Sequence, residues 1–251
     1  MVTLDASGVG GVYYDRAVAR WLPVYRTAVS SDGARYANLD PKVPGTAGQQ
    51  RLHLVDVSTG NDKLYMLGSA GDLSAYAVVA VAPEGIWLNG AGYEAPGGGL
   101  FLLDLTTGLL QDRSVPGIIE PVAGGPGVFW FTDAGPNPQP SAIGFPLPAR
   151  VQRLTISDGK TEVWYSEPGA YLSVLGTDLA GHPIITDWSS VWLVRGPNDA
   201  KVIDLPKGNY MLVADSHGLW FGGEHGIYLY SGAGELRKVS SQPGFPANGC
   251  F

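Results

Sequence analysis

This 251-residue chain has almost no cysteine, little charge and no long apolar run. Its one cysteine, Cys250, stands next to the C-terminal Phe251. An intrachain disulfide is therefore excluded, and a surface thiol on an untethered tail is the plain reading. Charged residues make up only 16% of the chain; Asp and Glu outnumber Lys and Arg 23 to 16, giving a formal charge of −7. A nucleic-acid binder needs a basic footprint, so that class is set aside, whereas cations remain admissible partners. No stretch approaches the roughly 20 apolar residues of a membrane-spanning helix. Met1 runs straight into Val2-Thr3-Leu4-Asp5 without a basic segment, so the reading is that any secretory leader has been lost or the chain cut from a longer one. The HExxH, GxSxG, P-loop and cysteine-rich metal spacings are all missing. The run Gly97-Gly98-Gly99 has no following helix with which to cradle a phosphate.

What the chain does have is glycine, proline and apolar residues together: 36 Gly, 19 Pro and 45% hydrophobic. That mixture suits many short strands joined by tight turns. The sparse charge and plentiful Tyr and Trp hint at an exported protein. An internal repeat organises the chain. Each copy is an apolar strand, a turn with glycine, a second apolar or aromatic strand, a polar loop, a third strand, a glycine turn and a fourth strand. Copy one reads YRTAVSSDGARYANLD then RLHLVDVSTGNDKLYML, and copy five reads NYMLVADSHGLWFGGE then GIYLYSGAGELRKVSS. The first-turn glycines are Gly33, Gly85, Gly127, Gly181 and Gly218, spaced by 52, 42, 54 and 37 residues. Propeller blades run about 40–50 residues, so these spacings fit once loop insertions are allowed. Asp32-Gly33, Thr59-Gly60, Thr107-Gly108 and Asp158-Gly159 supply the positive φ that tight hairpins require.

The expected fold is therefore all-β, a β-propeller of five to six four-stranded blades with an incomplete blade at the N-terminus. The expected boundaries are one domain over 1–251: a half-blade at 1–24, blades at about 25–72, 73–116, 117–168, 169–208 and 209–242, and a tail at 243–251. Residues 11–17 and 20–24 read as the third and fourth strands of the half-blade, with ring closure near the two termini.

In a propeller the loop between second and third strands and the loop between blades open on one face, and first strands line the channel. On that face every copy places an acid: Asp40, Glu94, Asp133, Asp187 and Glu224, with His225 added in copy five. Close carboxylates repel, so a ring of five would call for a cation or raised pKa values. Oxygen ligands suit Ca²⁺ or Mg²⁺, and the histidine admits Zn²⁺ or Mn²⁺. The plainer reading is that polar loops carry acids that point to solvent. Glu120 stands in a first strand, where a lone carboxylate needs pairing or water. Tyr76, Tyr171 and Tyr210 recur near the starts of first strands, either lining the mouth or packing between blades. Trp188 joins them as a substrate-lining candidate. His53, His182 and His217 read as structural or turn histidines, the last two on the opposite face. Insertions at 135–149, 41–50 and 92–98 gather on the acid face and mark it as the working face.

The segments VSSDGARYANLD and LHLVDVSTG resemble the TolB-like and WD-repeat-like propellers of bacteria. The match covers most of the chain through turn glycines and strand acids alone, and the strict WD dipeptide is absent. The resemblance implies the propeller fold, an extracytoplasmic setting and binding of proteins, and it transfers no catalytic residue. Two functions follow as expectations. One is metal-assisted hydrolysis of a small ester, lactone or phosphoester, with Glu120, Asp133, Asp187 and His225 as catalytic groups, a divalent metal and no organic cofactor. Paraoxonase and gluconolactonase-type propellers offer the architectural analogy, without their motifs. The other is a non-catalytic module, a monomer or weak dimer, that holds a peptide, glycan or protein on the same face through Trp87, Trp130, Trp188 and Trp220.

Overall fold

A computed structural model describes residues 13–15, 20–41, 50–68, 73–92, 98–136 and 146–244. The chain is a β-propeller, with successive antiparallel sheets each taken from consecutive segments. A hairpin comes first, β1 (Tyr13–Asp15) and β2 (Arg20–Leu22). A three-stranded sheet follows: β3 (Arg35–Leu39), β4 (Gln50–Asp56) and β5 (Asp62–Leu67). Four four-stranded sheets complete the described chain. The second blade holds β6 (Leu73–Ala82), β7 (Gly85–Gly92), β8 (Gly99–Leu103) and β9 (Leu110–Asp112). The third holds β10 (Ile119–Gly125), β11 (Val128–Asp133), β12 (Arg150–Thr155) and β13 (Lys160–Ser166). The fourth holds β14 (Ser173–Thr177), β15 (Pro183–Thr186), β16 (Val191–Gly196) and β17 (Asp199–Ile203). The fifth holds β18 (Tyr210–Asp215), β19 (Gly218–Gly223), β20 (Gly226–Ser231) and β21 (Leu236–Ser240). Innermost strands β3, β6, β10, β14 and β18 succeed one another side by side. No helix among the described residues is long and apolar enough to cross a membrane.

The first blade departs from the four strands read in its sequence. Its segment YRTAV forms a short 3-10 turn at Arg26–Ala28, and only Val29 bridges to Tyr36. Side chains take over the missing ladder. Ser30 Oγ accepts from the Arg35 amide at 3.0 Å and donates to Asp32 Oδ1 at 2.6 Å, while an Arg26 guanidinium N–H reaches the Val29 carbonyl at 2.9 Å.

Apolar burial lies between sheets. Leu22, Val24, Val29 and Val57 join the N-terminal hairpin to the first blade. Leu52, Leu67, Ile86 and Phe101 fill the next interface, and Trp87, Ile118, Phe129 and Leu154 the one after. Trp130, Val151, Leu172 and Ile185 pack the third blade on the fourth, and Ile184, Tyr210, Phe221 and Tyr230 pack the fourth on the fifth. Both faces of each interior sheet are thus covered, which is why the strands alternate only partly. All five first-turn glycines have positive φ. At Gly85 and Gly218 space decides as well: an added Cβ would stand 2.3 Å from the Leu103 carbonyl oxygen and 2.2 Å from that of Tyr230.

Candidate functional site

The strand registers put the start of each first strand beside the end of its second. Ile119 faces Thr132, Ser173 faces Thr186, and Tyr210 faces Gly223. Glu120, the acids after the second strands, and the inter-blade loops therefore share one face. On that face each described acid has a local partner. Asp133, 7% exposed, accepts from Arg150 Nε at 2.7 Å, Arg150 Nη2 at 2.5 Å and Gln152 Nε2 at 2.7 Å. Asp40 pairs with Arg51 Nε at 2.6 Å and lies 3.2 Å from His53 Nε2, whose Nδ1 meets Asp62 at 2.7 Å. Glu224 is exposed beside His225, whose Nε2–H donates to the Lys207 carbonyl at 2.8 Å. Glu94 lies outside the described residues, as do most of the three insertions. The acids do not converge: among the described residues no three His, Cys, Asp or Glu side chains are grouped to hold a metal ion.

Asp187 builds a loop. Its Oδ1 accepts from the Ser189 amide at 2.9 Å and the Ser190 amide at 2.8 Å, and the Ser189 hydroxyl reaches both its oxygens. Partial burial opposes the charged form, but these bonds outweigh it and hold the Asp187 pKa below the usual carboxylate value. Thr186 Oγ1 accepts from the Trp188 amide at 3.0 Å and donates to the Ser190 carbonyl at 2.9 Å. The product is Trp188 fixed at φ +72°, with 53% of its surface exposed. A bulky aromatic at positive φ costs about 1–2 kcal/mol, and the surrounding bonds offset it.

Beside Trp188 stands Tyr171, 40% exposed, its ring centroid 6.4 Å away. Glu120 completes the patch. It sits at φ +47° where β10 bulges between Ile119 and Val122, and Pro121 behind it has no N–H to offer a ladder. The bulge exposes the carboxylate and brings it 3.4 Å from Ser173 Oγ of the next blade. Burial and then the Glu120 charge push the Tyr171 pKa up. Tyr165 borders the patch, with its hydroxyl on Glu167 at 3.1 Å. Burial, that bond, and the charges of Glu167 and Asp187 push it up to about 12. Glu120, Tyr171 and Trp188 thus form an aromatic and anionic patch, with Asp187 next in the chain to Trp188 and the Tyr165–Glu167 pair within electrostatic reach of Asp187.

Of the other tyrosines, Tyr76 and Tyr210 are both 8% exposed and pack between strands. Their hydroxyls reach back to the Gly68 carbonyl at 3.0 Å and the Pro206 carbonyl at 2.5 Å, each tethering its blade to the preceding loop. Trp87, Trp130 and Trp220 are buried. Sequence reasoning missed the opposite face, where two cavities open. One of about 370 Å³ lies among the inner strands, with Val79, Ala80, Ala123 and Phe129 in its wall. The other, about 290 Å³, lies between the fourth and fifth blades beside Arg195 and His217. The turn histidines were a visible signal: His182 pairs with Asp178 and His217 with Asp215.

No family model matches the chain. No curated protein matches it either. Solved structures do resemble it. A prolyl endopeptidase is 13% identical with a TM-score of 0.59, over 83% of this chain and 35% of that one. TolB from Acinetobacter baumannii is 16% identical with a TM-score of 0.55, over 83% and 53%. A post-proline cleaving enzyme from Rickettsia typhi is 9% identical with a TM-score of 0.57, over 91% and 40%. This chain spans about a third to a half of the length of these proteins. At such identities the likeness is one of fold, and it establishes a loose resemblance to TolB-like β-propellers.

Proposed function

We propose that this chain is a binding propeller that holds a basic peptide segment of a partner on the face bearing Trp188, Tyr171 and Glu120. The observation that carries the reading is the presentation of Trp188, an exposed indole locked at positive φ beside a second exposed ring. Two open ring faces bordered by Glu120, Asp187 and Glu167 match an Arg or Lys side chain, through cation–π attraction of about 0.5–2 kcal/mol and a charge-assisted bond. A neutral glycan would leave those charges uncompensated. The net charge of −7 steers in the same direction. Metal-assisted hydrolysis would use the same face, but a cation at Asp133 would have to displace Arg150 and Gln152. The test is selection from a random decapeptide library on immobilised protein. Enrichment of Arg and Lys that disappears in Trp188→Ala and weakens in Glu120→Gln is expected. Glycan capture instead, or basic-peptide enrichment indifferent to Trp188→Ala, would reject the reading.

A further inference from the structure

The cleft between the fourth and fifth blades lies on the face opposite Trp188. Its walls come from the β14–β15 turn, the β18–β19 turn and the ends of β16 and β20. Its two carboxylates are engaged with their own turns. Asp178 accepts from the Ala180 amide at 2.9 Å, the His182 amide at 2.8 Å and the His182 ring at 2.9 Å. Asp215 accepts from the His217 amide at 2.8 Å and lies 3.3 Å from His217 Nδ1. Both carboxylates therefore serve as turn scaffolds, each beside a histidine. Arg195 differs. It is exposed at the irregular end of β16, where the register shifts between Val194 and Gly196, and its side chain has no hydrogen bond or ion pair among the described residues. Leu193, Leu219 and the 71%-exposed Leu179 supply apolar wall next to it.

A free guanidinium in a cleft whose own acids are satisfied selects an anion, and a planar fork favours a carboxylate. The apolar wall asks for a short hydrocarbon group on that anion. A volume of about 290 Å³ has room for one amino-acid-sized group, at the small end of ligand sites. We infer that this cleft binds a carboxylate bearing a small apolar side group, with Arg195 on the carboxylate and Leu179 against the side group. A free acid and a peptide C-terminus share this chemistry.

Calorimetric titration tests it with N-acetyl-leucine and N-acetyl-leucinamide as probes, and with a pentapeptide ending in leucine as free acid or amide. The expected result is saturable binding of the acids, at least about tenfold tighter than their amides, and at least about tenfold weakened in Arg195→Ala. Arg195→Lys keeps part of it. If the pentapeptide acid binds and N-acetyl-leucine binds far more weakly, the source is a peptide terminus; comparable binding points to free acids. Equal binding of acid and amide, no saturable binding, or indifference to Arg195→Ala overturns the proposal. Trp188→Ala leaves this titration unchanged, so the fate of this cleft is read separately from that of the opposite face.

Discussion

Asp133→Ala removes the acceptor of three N–H groups at once, those of Arg150 Nε, Arg150 Nη2 and Gln152 Nε2. Breaking a fully buried ion pair by deleting one partner costs about 3–5 kcal/mol, because the other charge stays behind uncompensated. Here the Asp133 side chain is 10% exposed and that of Arg150 26%. Water can therefore reach part of the guanidinium and moderate the loss, which sets the expectation at about 2–3 kcal/mol. Urea unfolding followed by tryptophan fluorescence measures it. The Asp133→Ala/Arg150→Met double variant removes both charges and should recover much of the loss, giving a coupling above about 1 kcal/mol. A single-variant loss or a coupling below about 0.5 kcal/mol would refute the reasoning.

Other consequences can be measured alongside. Asp56 Oδ1 takes bonds from Ser58 and Thr59, which lower its pKa to about 2. Because the folded value lies below the unfolded one, the stability it contributes is present above about pH 4 and lost as pH falls through about 2. The melting temperature of Asp56→Ala should thus lie below wild type at pH 7 and the gap should shrink under acid; a gap at pH 2 as large as at pH 7 contradicts this. Tyr165 and Tyr210 are pushed up to about 12, both chiefly by burial. Their folded values exceed the unfolded one, so that stability is present below about pH 10 and lost as pH rises toward 12. Absorbance titration should show late-ionising tyrosine absorbance that shrinks in Tyr165→Phe and in Tyr210→Phe. Gly218→Ala must place a methyl against the Tyr230 carbonyl at φ +139°. It should cost more than about 1 kcal/mol in urea unfolding, whereas Gly60→Ala, with nothing within 4 Å, should cost less.

The propeller was legible because its punctuation is chemical. Gly33, Gly85, Gly127, Gly181 and Gly218 occur where a hairpin needs positive φ, and the structure has each of them there. The site was less legible because an aspartate after a strand has the same local signature whatever it does. Asp187 bonds to residues two and three positions on, while Asp133 meets Arg150 seventeen positions away. Only the fold reveals the second kind of partner. Trp188 was visible as an aromatic on the right face, but its exposure follows from a loop conformation set by Thr186 and Asp187 together. Glu120 was visible as a misplaced acid in a first strand, and the bulge that turns it outward was not. In the first blade, the repeat register read YRTAV as a strand, yet bonding by Ser30, Asp32 and Arg26 produced a tight turn.

The central claim, that an aromatic and anionic surface holds a basic side chain, is tested most directly by one titration. Nα-acetyl-arginine amide and its neutral citrulline counterpart are added in turn while the fluorescence of Trp188 is followed against a Trp188→Ala reference. A saturable change with the arginine probe, little with citrulline, and a weaker response in Glu120→Gln are expected. Equal responses to the two probes, or none to either, would contradict it.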